Sequence, residues 1–465
     1  MITMFSNLSG ILMNNQNKAG ISLNTFFATT SGINKKICCY TKYLVIFTAL
    51  VLLFSCQSST KKSEGLNKKD SSALFISLPQ PLPLSHAEAA RLSAACLRWY
   101  DSALLPRGFN GGMLVAKNGN IIFEKYNGTG HLRGKDGITA NTPMQIASVS
   151  KTFTAMGVLK LWQDGKLNID DELSTYLKTF NYPGVTIRSL LNHRSGLPNY
   201  LYFMQKLGWD EKITVTNQDV LTYLVEKKGA IENIAPPDKR FTYCNTNYAL
   251  LALLIEAVSG KKYPEFMQET FFMPLQMKNT FVFTGADSGK INLSYDWRGR
   301  LIPLNYLDAV YGDKNIYTTP QDLLIWDRAL NSNKIFTAET LAQAYTPYSN
   351  EKPGIKNYGL GWRMNIYPDG KKMIFHNGWW HGSNAVFIRL LAENATIIVI
   401  GNKFTSAIYH AKDLCNLFNN YYGNDEDEEN ETSAPQLYNN GFSIPAAPDT
   451  KKDVRLQNIL KEKKH

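Results

Sequence analysis

The sequence predicts an α+β fold, an α/β sandwich in which helices flank one antiparallel sheet. Two observations support this prediction. Two apolar runs joined by an Asn-Gly turn come early in the chain, and three strand-like runs follow one another late in it. The residues between these groups have the spacing of helices. Pairing the N- and C-terminal strand groups in one sheet leaves the middle of the chain as an all-helical insertion subdomain.

The early part of the domain should form a helix followed by a hairpin. Ser85 can cap the helix, and Glu88 three residues on completes the pattern of a capping box. The apolar pattern continues to about Tyr100. After it, the Asn-Gly turn predicts a hairpin of two strands, Gly112–Val115 and Ile121–Lys125.

The remaining elements follow from apolar periodicity and from turn residues. A helix with a long apolar face is expected from about Ser148 to Gln163, because Asp164-Gly165 ends the pattern there. The other predicted helices are Asn217–Lys228, Thr246–Val258, Tyr263–Phe272, Pro320–Leu330 and Ala338–Tyr345; the late strands are Met373–His376, Asn384–Leu391 and Ala395–Gly401, and a closing helix spans Lys403–Asn420.

Residues 1–56 have the features of an export leader. Three lysines precede an apolar run, Tyr43–Phe54, which stops just before Cys56. The run is about a dozen residues, whereas a bilayer span needs about 20. A cysteine at this break resembles a bacterial lipobox, which implies that Cys56 is lipidated and tethers the protein to a membrane of the bacterial cell envelope. A signal-anchor helix is the alternative.

Residues 86–422 are predicted to form the folded domain. Before it, residues 57–85 are rich in Ser, Lys and Pro, which is typical of a flexible linker. After it, residues 423–465 begin with an acidic run and end in a basic one, which indicates a polar tail.

Composition argues against a nucleic-acid partner and against a metal site. The net charge is +11, but the lysines gather in short runs near both ends of the chain. No basic stripe interleaved with aromatic residues occurs inside the domain. Beyond the leader three cysteines remain, and they lack the spacing of a disulfide framework or a zinc site: Cys96, Cys244 and Cys415. The oligomeric state stays open.

Ser148 and Lys151 stand one turn apart at the start of the predicted long helix. Residues three apart share a helix face, so the lysine amine can take the proton of the serine hydroxyl. The helix N-terminus also directs backbone N–H groups at developing negative charge. The spacing alone is weak evidence, and only Ser148 follows a strand group and opens a long helix. The same Ser-x-x-Lys spacing begins at Ser58, Ser59, Ser259 and Ser349.

Two further motifs could supply catalytic groups. Tyr243-Cys244-Asn245 stands just before a predicted helix, where a tyrosine can shuttle a proton and an asparagine can hold a substrate carbonyl. His376-Asn377-Gly378 ends a predicted strand, where the glycine lets a backbone N–H approach the substrate and the histidine can donate to it. Taken alone, the first is consistent with an ordinary turn and the second with a surface hairpin. The Tyr-x-Asn spacing also occurs at three other positions, which serve as decoys for the motif: Tyr348, Tyr422 and Tyr438.

Together these motifs resemble the serine beta-lactamase and penicillin-binding-protein-like superfamily, in particular hydrolases related to class C beta-lactamases. Its three elements are Ser-x-x-Lys, Tyr-x-Asn and Lys-or-His-x-Gly, and the resemblance covers about residues 88–420. They match, in order, Ser148 and Lys151, Tyr243 and Asn245, and His376 and Gly378; the phrases at residues 190–198, 317–323 and 358–362 also fit.

The resemblance implies an exported serine hydrolase that acts on a small-molecule or peptide substrate without a metal or organic cofactor. Ser148 would attack an amide or ester carbonyl while Lys151 and Tyr243 relay its proton. The backbone N–H groups of Ser148 and Trp379 would form the oxyanion hole. The implied substrate-binding residues are Asn245, His376, Gly378 and Trp379, with His376 also supporting the Tyr243 region.

One departure from the family pattern bears on the substrate. True beta-lactamases and transpeptidases carry Lys-Thr-Gly where this chain has His376-Asn377-Gly378. An imidazole is often neutral at pH 7, so the change favours an esterase or a D-amino-acid peptidase over penicillin hydrolysis. His193 and Ser195 are expected to be structural, in a loop beneath the site. The alternatives are a slow penicillin-binding or sensor-like protein, and a membrane-tethered structural protein in which the motifs are accidental.

Overall fold

The computed structural model describes residues 75–422, apart from 132–133, 232–234, 288 and 290. The predicted leader with Cys56, the first part of the predicted linker and the predicted tail lie outside these residues. Residues 75–85, which the sequence assigns to the linker, lie against the domain. The Ile76 N–H donates to the Pro274 carbonyl at 2.8 Å, and the Leu82 N–H donates to the Asn118 carbonyl at 2.9 Å.

A seven-stranded antiparallel sheet forms the centre of the fold. Its strands are β1 (Gly111–Lys117), β2 (Asn120–Asn127), β8 (Lys356–Tyr358), β9 (Arg363–Ile366), β10 (Lys372–Trp380), β11 (Ser383–Leu390) and β12 (Ala395–Gly401). They lie side by side in the order β2-β1-β12-β11-β10-β9-β8. Because β1 pairs with β12 along its whole length, the N- and C-terminal strand groups form one sheet, as predicted.

The sheet is wider than the sequence predicts. Strands β8 and β9 were not predicted, because they are only three and four residues long and carry no regular alternation. Strand β10 continues four residues beyond the predicted end at His376. Strands β11 and β12 are buried on both faces, so both faces of the sheet must be covered.

Helices cover the two faces of the sheet. The first helix, α1 (His86–Trp99), begins where predicted, with the Ser85 hydroxyl accepting from the Glu88 N–H at 3.2 Å. With the closing segment Ser406–Leu417, α1 covers one face, and that segment is a 3₁₀ helix where an ordinary helix was predicted. The other helices are α2 (Ser150–Gln163), α3 (Ile187–Leu191), α4 (Tyr200–Lys206), α5 (Asn217–Glu226), α6 (Asn245–Ser259), α7 (Tyr263–Met267), α8 (Pro320–Leu330) and α9 (Ala338–Ala344).

The middle of the chain is predominantly helical, as predicted, but it also contains short strands. Helices α3 and α4, of five and seven residues, were not predicted. The predicted helix Tyr263–Phe272 is α7 followed by one π-helical turn. The short strands form a three-stranded sheet of β3 (Met144–Gln145), β7 (Ile316–Thr318) and β4 (Phe281–Val282), and a hairpin of β5 (Ser294–Tyr295) and β6 (Leu301–Ile302).

The three cysteines of the domain, Cys96, Cys244 and Cys415, are buried free thiols. In the part of the chain that the structure describes, no group of three or more His, Cys, Asp or Glu side chains could hold a metal ion. Within the same residues, none of the helices has the length and apolarity to cross a bilayer.

Candidate active site

Ser148 lies at the N-terminal end of α2, next to strand β10. Residues Ala147–Val149 form one 3₁₀ turn, and the α-helix begins at Ser150, two residues later than predicted. The turn opens with Ala147 at φ +45°, a left-handed conformation that costs an alanine free energy. This strained turn presents the Ser148 side chain, which is 8% exposed, at the helix start.

Lys151 is completely buried beside the serine. Its Nζ lies 3.0 Å from Ser148 Oγ and donates to the Asp313 carbonyl at 2.8 Å. The 3.0 Å separation is within the range required for proton transfer between a nucleophile and its base. A neutral Lys151 amine could therefore accept the hydroxyl proton along the same contact.

Tyr243 approaches this pair from the start of α6. Its ring centroid lies 5.0 Å from Lys151 Nζ. Its hydroxyl oxygen is shielded from solvent and has no hydrogen-bond partner among the described residues. Leaving a buried hydroxyl unpaired costs free energy, which is typical of a group whose partner arrives with the substrate. Asn245, the first residue of α6, is 4% exposed.

The loop that carries His193 and Ser195 packs beneath Tyr243. The His193 and Tyr243 ring centroids are 4.3 Å apart, and His193 Nδ1 accepts from the Cys244 N–H at 3.1 Å. Ser195 Oγ donates to Asn247 Oδ1 at 2.7 Å. Both side chains are buried and bind the first turn of α6, in agreement with the structural role predicted for them.

Strand β10 has an open edge next to the serine. Strand β9 pairs with β10 only as far as Phe375, so the last residues of β10 have no neighbouring strand on that side. Trp380 pairs with Ser383 across the turn to β11. Because successive N–H groups of a strand point to opposite edges, we expect the Trp379 N–H to face the open edge.

Gly378 allows the serine turn to pack closely on the face of β10. A Cβ at position 378 would lie 2.2 Å from the Ile146 carbonyl oxygen and 3.3 Å from Ala147 Cβ. Only glycine permits so close an approach of two backbones. The glycine of the third motif is therefore explained by the distance between β10 and the turn that carries Ser148.

His376 is buried, so the surface-hairpin interpretation of this motif is wrong. Its Nδ1 lies 2.6 Å from the Asn377 carbonyl, which can only accept, so Nδ1 carries the proton. Its Nε2 then accepts from the Tyr358 hydroxyl at 3.1 Å. Burial, followed by the charges of Arg363 and Lys151, holds the pKa of His376 well below its ordinary value. A neutral imidazole with both nitrogens bonded has no free donor for a substrate.

Two groups at the site were not predicted from the sequence. The Arg363 guanidinium lies over the Tyr243 ring, 5.1 Å from its centroid, and follows directly on the family phrase that ends at Trp362. The position after that phrase was a signal that could have drawn attention to it. The Asp313 carbonyl that binds Lys151 is a backbone group, and no side-chain motif identifies such an acceptor.

The fold and the site are those of the class of serine hydrolases in which a buried lysine contacts a serine hydroxyl at a helix start. The profile of the Beta-lactamase family matches residues 107–414. The chain belongs to the beta-lactamase family.

Curated relatives and solved structures agree with this assignment. The chain is 31% identical over 311 residues to penicillin-binding protein 4* of Bacillus subtilis, covering 63% of this chain and 68% of that protein. It is 26% identical over 312 residues to protein flp of Staphylococcus aureus, covering 62% of this chain and 59% of that protein.

Two crystal structures share the fold. A penicillin binding protein from Bacillus halodurans superposes with a TM-score of 0.61 at 24% identity, covering 68% of this chain and 98% of that one. A D-amino acid amidase from Ochrobactrum anthropi superposes with a TM-score of 0.55 at 19% identity, covering 71% and 96%.

We predict that stability falls in mild acid because two buried histidines are held neutral. Burial, followed by the charge of Lys151, also holds the pKa of His193 well below its ordinary value. The unfolded chain takes up protons on both rings below about pH 6.5, and the folded domain does not. The free energy of unfolding should therefore fall by about 2 kcal/mol per histidine between pH 6.5 and pH 5.

Urea unfolding at pH 7.5, 6.5 and 5 measures this effect. His376→Gln should remove about half of the decrease, while His86→Gln, which alters an exposed histidine, should leave the decrease unchanged. An identical decrease in His376→Gln and the parent protein would contradict the assignment.

Proposed function

We propose that the protein is an exported serine hydrolase that cleaves an amide or ester through an acyl-enzyme on Ser148. Ser148 Oγ attacks the carbonyl carbon, and its proton passes to Lys151 and through the Tyr243 hydroxyl to the leaving group. The N–H groups of Ser148 and Trp379 stabilise the oxyanion. Water then attacks the acyl-enzyme, which releases the acid and returns the proton to Ser148.

The contact between Lys151 and Ser148 is the observation that carries this proposal. A buried amine 3.0 Å from a hydroxyl is arranged for proton transfer. The unpaired Tyr243 hydroxyl beside it supports a second step in the relay.

The third motif favours a D-amino-acid peptide or an ester over a penicillin as the physiological substrate. His376 is neutral and bonded on both nitrogens, so it does not supply the positive charge that a lysine would supply there. Arg363 is a second cation over the Tyr243 ring, beside Lys151, and its side chain is half-buried. We propose that Arg363 attracts the free carboxylate of a peptide substrate.

A slowly acylating penicillin-binding or sensor-like protein is the second candidate function. The name of the Bacillus subtilis relative, penicillin-binding protein 4*, supports reaction with a beta-lactam. The two candidates differ in deacylation: the hydrolase turns over, whereas the binding protein stays acylated. Steady-state turnover of an ester substrate separates them.

Ser148→Ala should abolish labelling by a fluorescent penicillin or a fluorophosphonate and abolish turnover of p-nitrophenyl esters. Lys151→Ala and Tyr243→Phe should each lower kcat/KM about 10²–10⁴-fold, the usual contribution of acid–base catalysis. Ser349→Ala and Tyr348→Phe are matched controls, because Ser349 and Tyr348 belong to a second Ser-x-x-Lys and a second Tyr-x-Asn sequence. Full turnover in Ser148→Ala would refute the assignment of Ser148 as the nucleophile.

Arg363→Gln should discriminate between substrates by their terminal group. A charge-assisted hydrogen bond contributes about 1.5–3 kcal/mol, so kcat/KM for an acyl-D-alanyl-D-alanine with a free carboxylate should fall about 10- to 100-fold. The same peptide with an amidated C-terminus is the control and should lose less than about threefold. Equal losses on the two peptides would show that Arg363 acts only through Tyr243.

We also propose that the protein is tethered to a membrane of the cell envelope through a lipid on Cys56. The leader sequence supports this, and Cys56→Ala in the full chain tests it. The variant should lose incorporation of labelled palmitate and move from the membrane to the soluble fraction, with ester turnover unchanged. Retention of the variant in the membrane would favour the signal-anchor alternative.

A further inference from the structure

The acceptor that holds Lys151 lies in segment 312–316, which runs along the first turns of α2. Three hydrogen bonds of 2.7, 2.8 and 3.1 Å join the segment to the helix. They are made by side chains of the helix to backbone groups of the segment. The bonds link Thr154 to the Gly312 carbonyl, Lys151 to the Asp313 carbonyl and Ser150 to the Ile316 N–H.

The segment has a conformation that its surroundings must maintain. Gly312 has φ +93°, and a Cβ there would lie 2.4 Å from the Tyr248 carbonyl oxygen. Asn315, although not a glycine, has φ +75°. Its side-chain amide donates to the Val310 carbonyl at 2.9 Å and accepts from Gln145 at 2.9 Å. The left-handed conformation costs free energy at Asn315, which is not a glycine, unless tertiary contacts hold it.

The side chain of Lys314 is buried at the centre of these contacts. It is 3% exposed, and its Nζ donates to the Tyr200 hydroxyl. The same nitrogen lies 3.6 Å from Asp313 Oδ1 and 4.7 Å from the centroid of the Trp380 ring. The Tyr200 hydroxyl in turn donates to Asp313 Oδ2 at 3.0 Å. The ammonium therefore contacts α4, its own segment and the end of β10.

A second buried carboxylate joins the segment to the turn after β10. Asp308 Oδ1 accepts from Trp380 Nε1 at 2.6 Å and lies 3.0 Å from His381 Nε2. The Asp308 carbonyl accepts from the Asn315 side chain. Trp380 directly follows Trp379, whose N–H we assign to the oxyanion hole. The cluster thus contacts two parts of the proposed catalytic site. One is the Asp313 carbonyl that binds Lys151, and the other is the end of β10, which carries the Trp379 N–H.

Stability alone does not explain such a cluster. Removing an ammonium from water costs several kcal/mol, and a buried ion pair often contributes no more than apolar side chains of the same volume. The 3.6 Å separation between Lys314 and Asp313 is too long for a hydrogen bond. What this arrangement supplies is a fixed position for the backbone of segment 312–316.

We propose that Lys314 is a positioning residue for the reaction. Its ammonium, held between Tyr200, Asp313 and the Trp380 ring, fixes the Asp313 carbonyl that holds Lys151 against Ser148. The inference rests on the proposed function and adds a residue that contacts neither the substrate nor the nucleophile. Loss of this position should slow acylation and leave substrate binding nearly unchanged.

The test compares Lys314→Met, Lys314→Arg and Tyr200→Phe in the full chain. Single-turnover kinetics at several concentrations of a chromogenic ester give the acylation rate and the substrate dissociation constant, and thermal unfolding gives Tm. Lys314→Met should lower the acylation rate about 100-fold with the substrate dissociation constant within about threefold of the parent value, and Lys314→Arg should acylate about tenfold faster than Lys314→Met. Tyr200→Phe, which removes one hydroxyl and leaves the charge of Lys314 in place, should lower the acylation rate about tenfold.

Tyr345→Phe is the matched control. Tyr345 is also buried, and its hydroxyl also accepts from a buried cation, Arg389, which pairs with Asp327 at 2.5 Å. Tyr345→Phe should lower Tm as Tyr200→Phe does, and its acylation rate should stay within about twofold of the parent value. Should Lys314→Met fail to fold, the two tyrosine variants still decide the question.

Two outcomes overturn the proposal. One is an equal effect of Tyr200→Phe and Tyr345→Phe on the acylation rate of the folded protein. The other is a larger substrate dissociation constant at an unchanged acylation rate in Lys314→Met, which indicates a substrate contact. Both outcomes differ from failure of the proposed function, which would appear as ester turnover that survives Ser148→Ala.

Discussion

The burial of the Lys151 amine is the constraint on which the rest of the site depends. An amine taken out of water needs partners, and here two oxygens supply them, one from the Ser148 hydroxyl and one from the Asp313 backbone. The helix that carries Lys151 must therefore stay in register with segment 312–316. That segment in turn packs on α6, where Gly312 meets the Tyr248 carbonyl. The helices of the middle region thus hold one nitrogen in place.

The second constraint on the site is the point at which strand pairing in the sheet stops. Strand β9 ends at the level of Phe375, and the rest of β10 turns an unpaired edge toward the serine turn. Unpaired backbone edges are usually a liability for a protein. Here the unpaired edge lies next to the serine turn, which packs on β10 at Gly378, and we propose that a backbone donor of this edge binds the substrate.

The parts of this protein that are regular along the sequence were predictable, and the parts that depend on distant contacts were not. Helix α2, helix α6 and strand β12 follow from apolar periodicity, and the order of three motifs selects Tyr243 from its decoys. Strands β8 and β9 are too short to show a pattern. The inward direction of His376 depends on Tyr358, and the position of Lys314 depends on Tyr200 and Trp380. No local pattern encodes those contacts.

The three buried thiols of the domain have a practical consequence. Burial raises the pKa of Cys96 to about 12 and of Cys244 to about 11, and it raises that of Cys415 further. Cys244 stands between Tyr243 and Asn245, yet its Sγ donates to the Pro198 carbonyl and is 1% exposed. Reagents that react with thiolates will therefore not modify these three cysteines while the domain is folded. Alkylation at these positions reports opening of the core, and at Cys244 it reports opening at the first turn of α6.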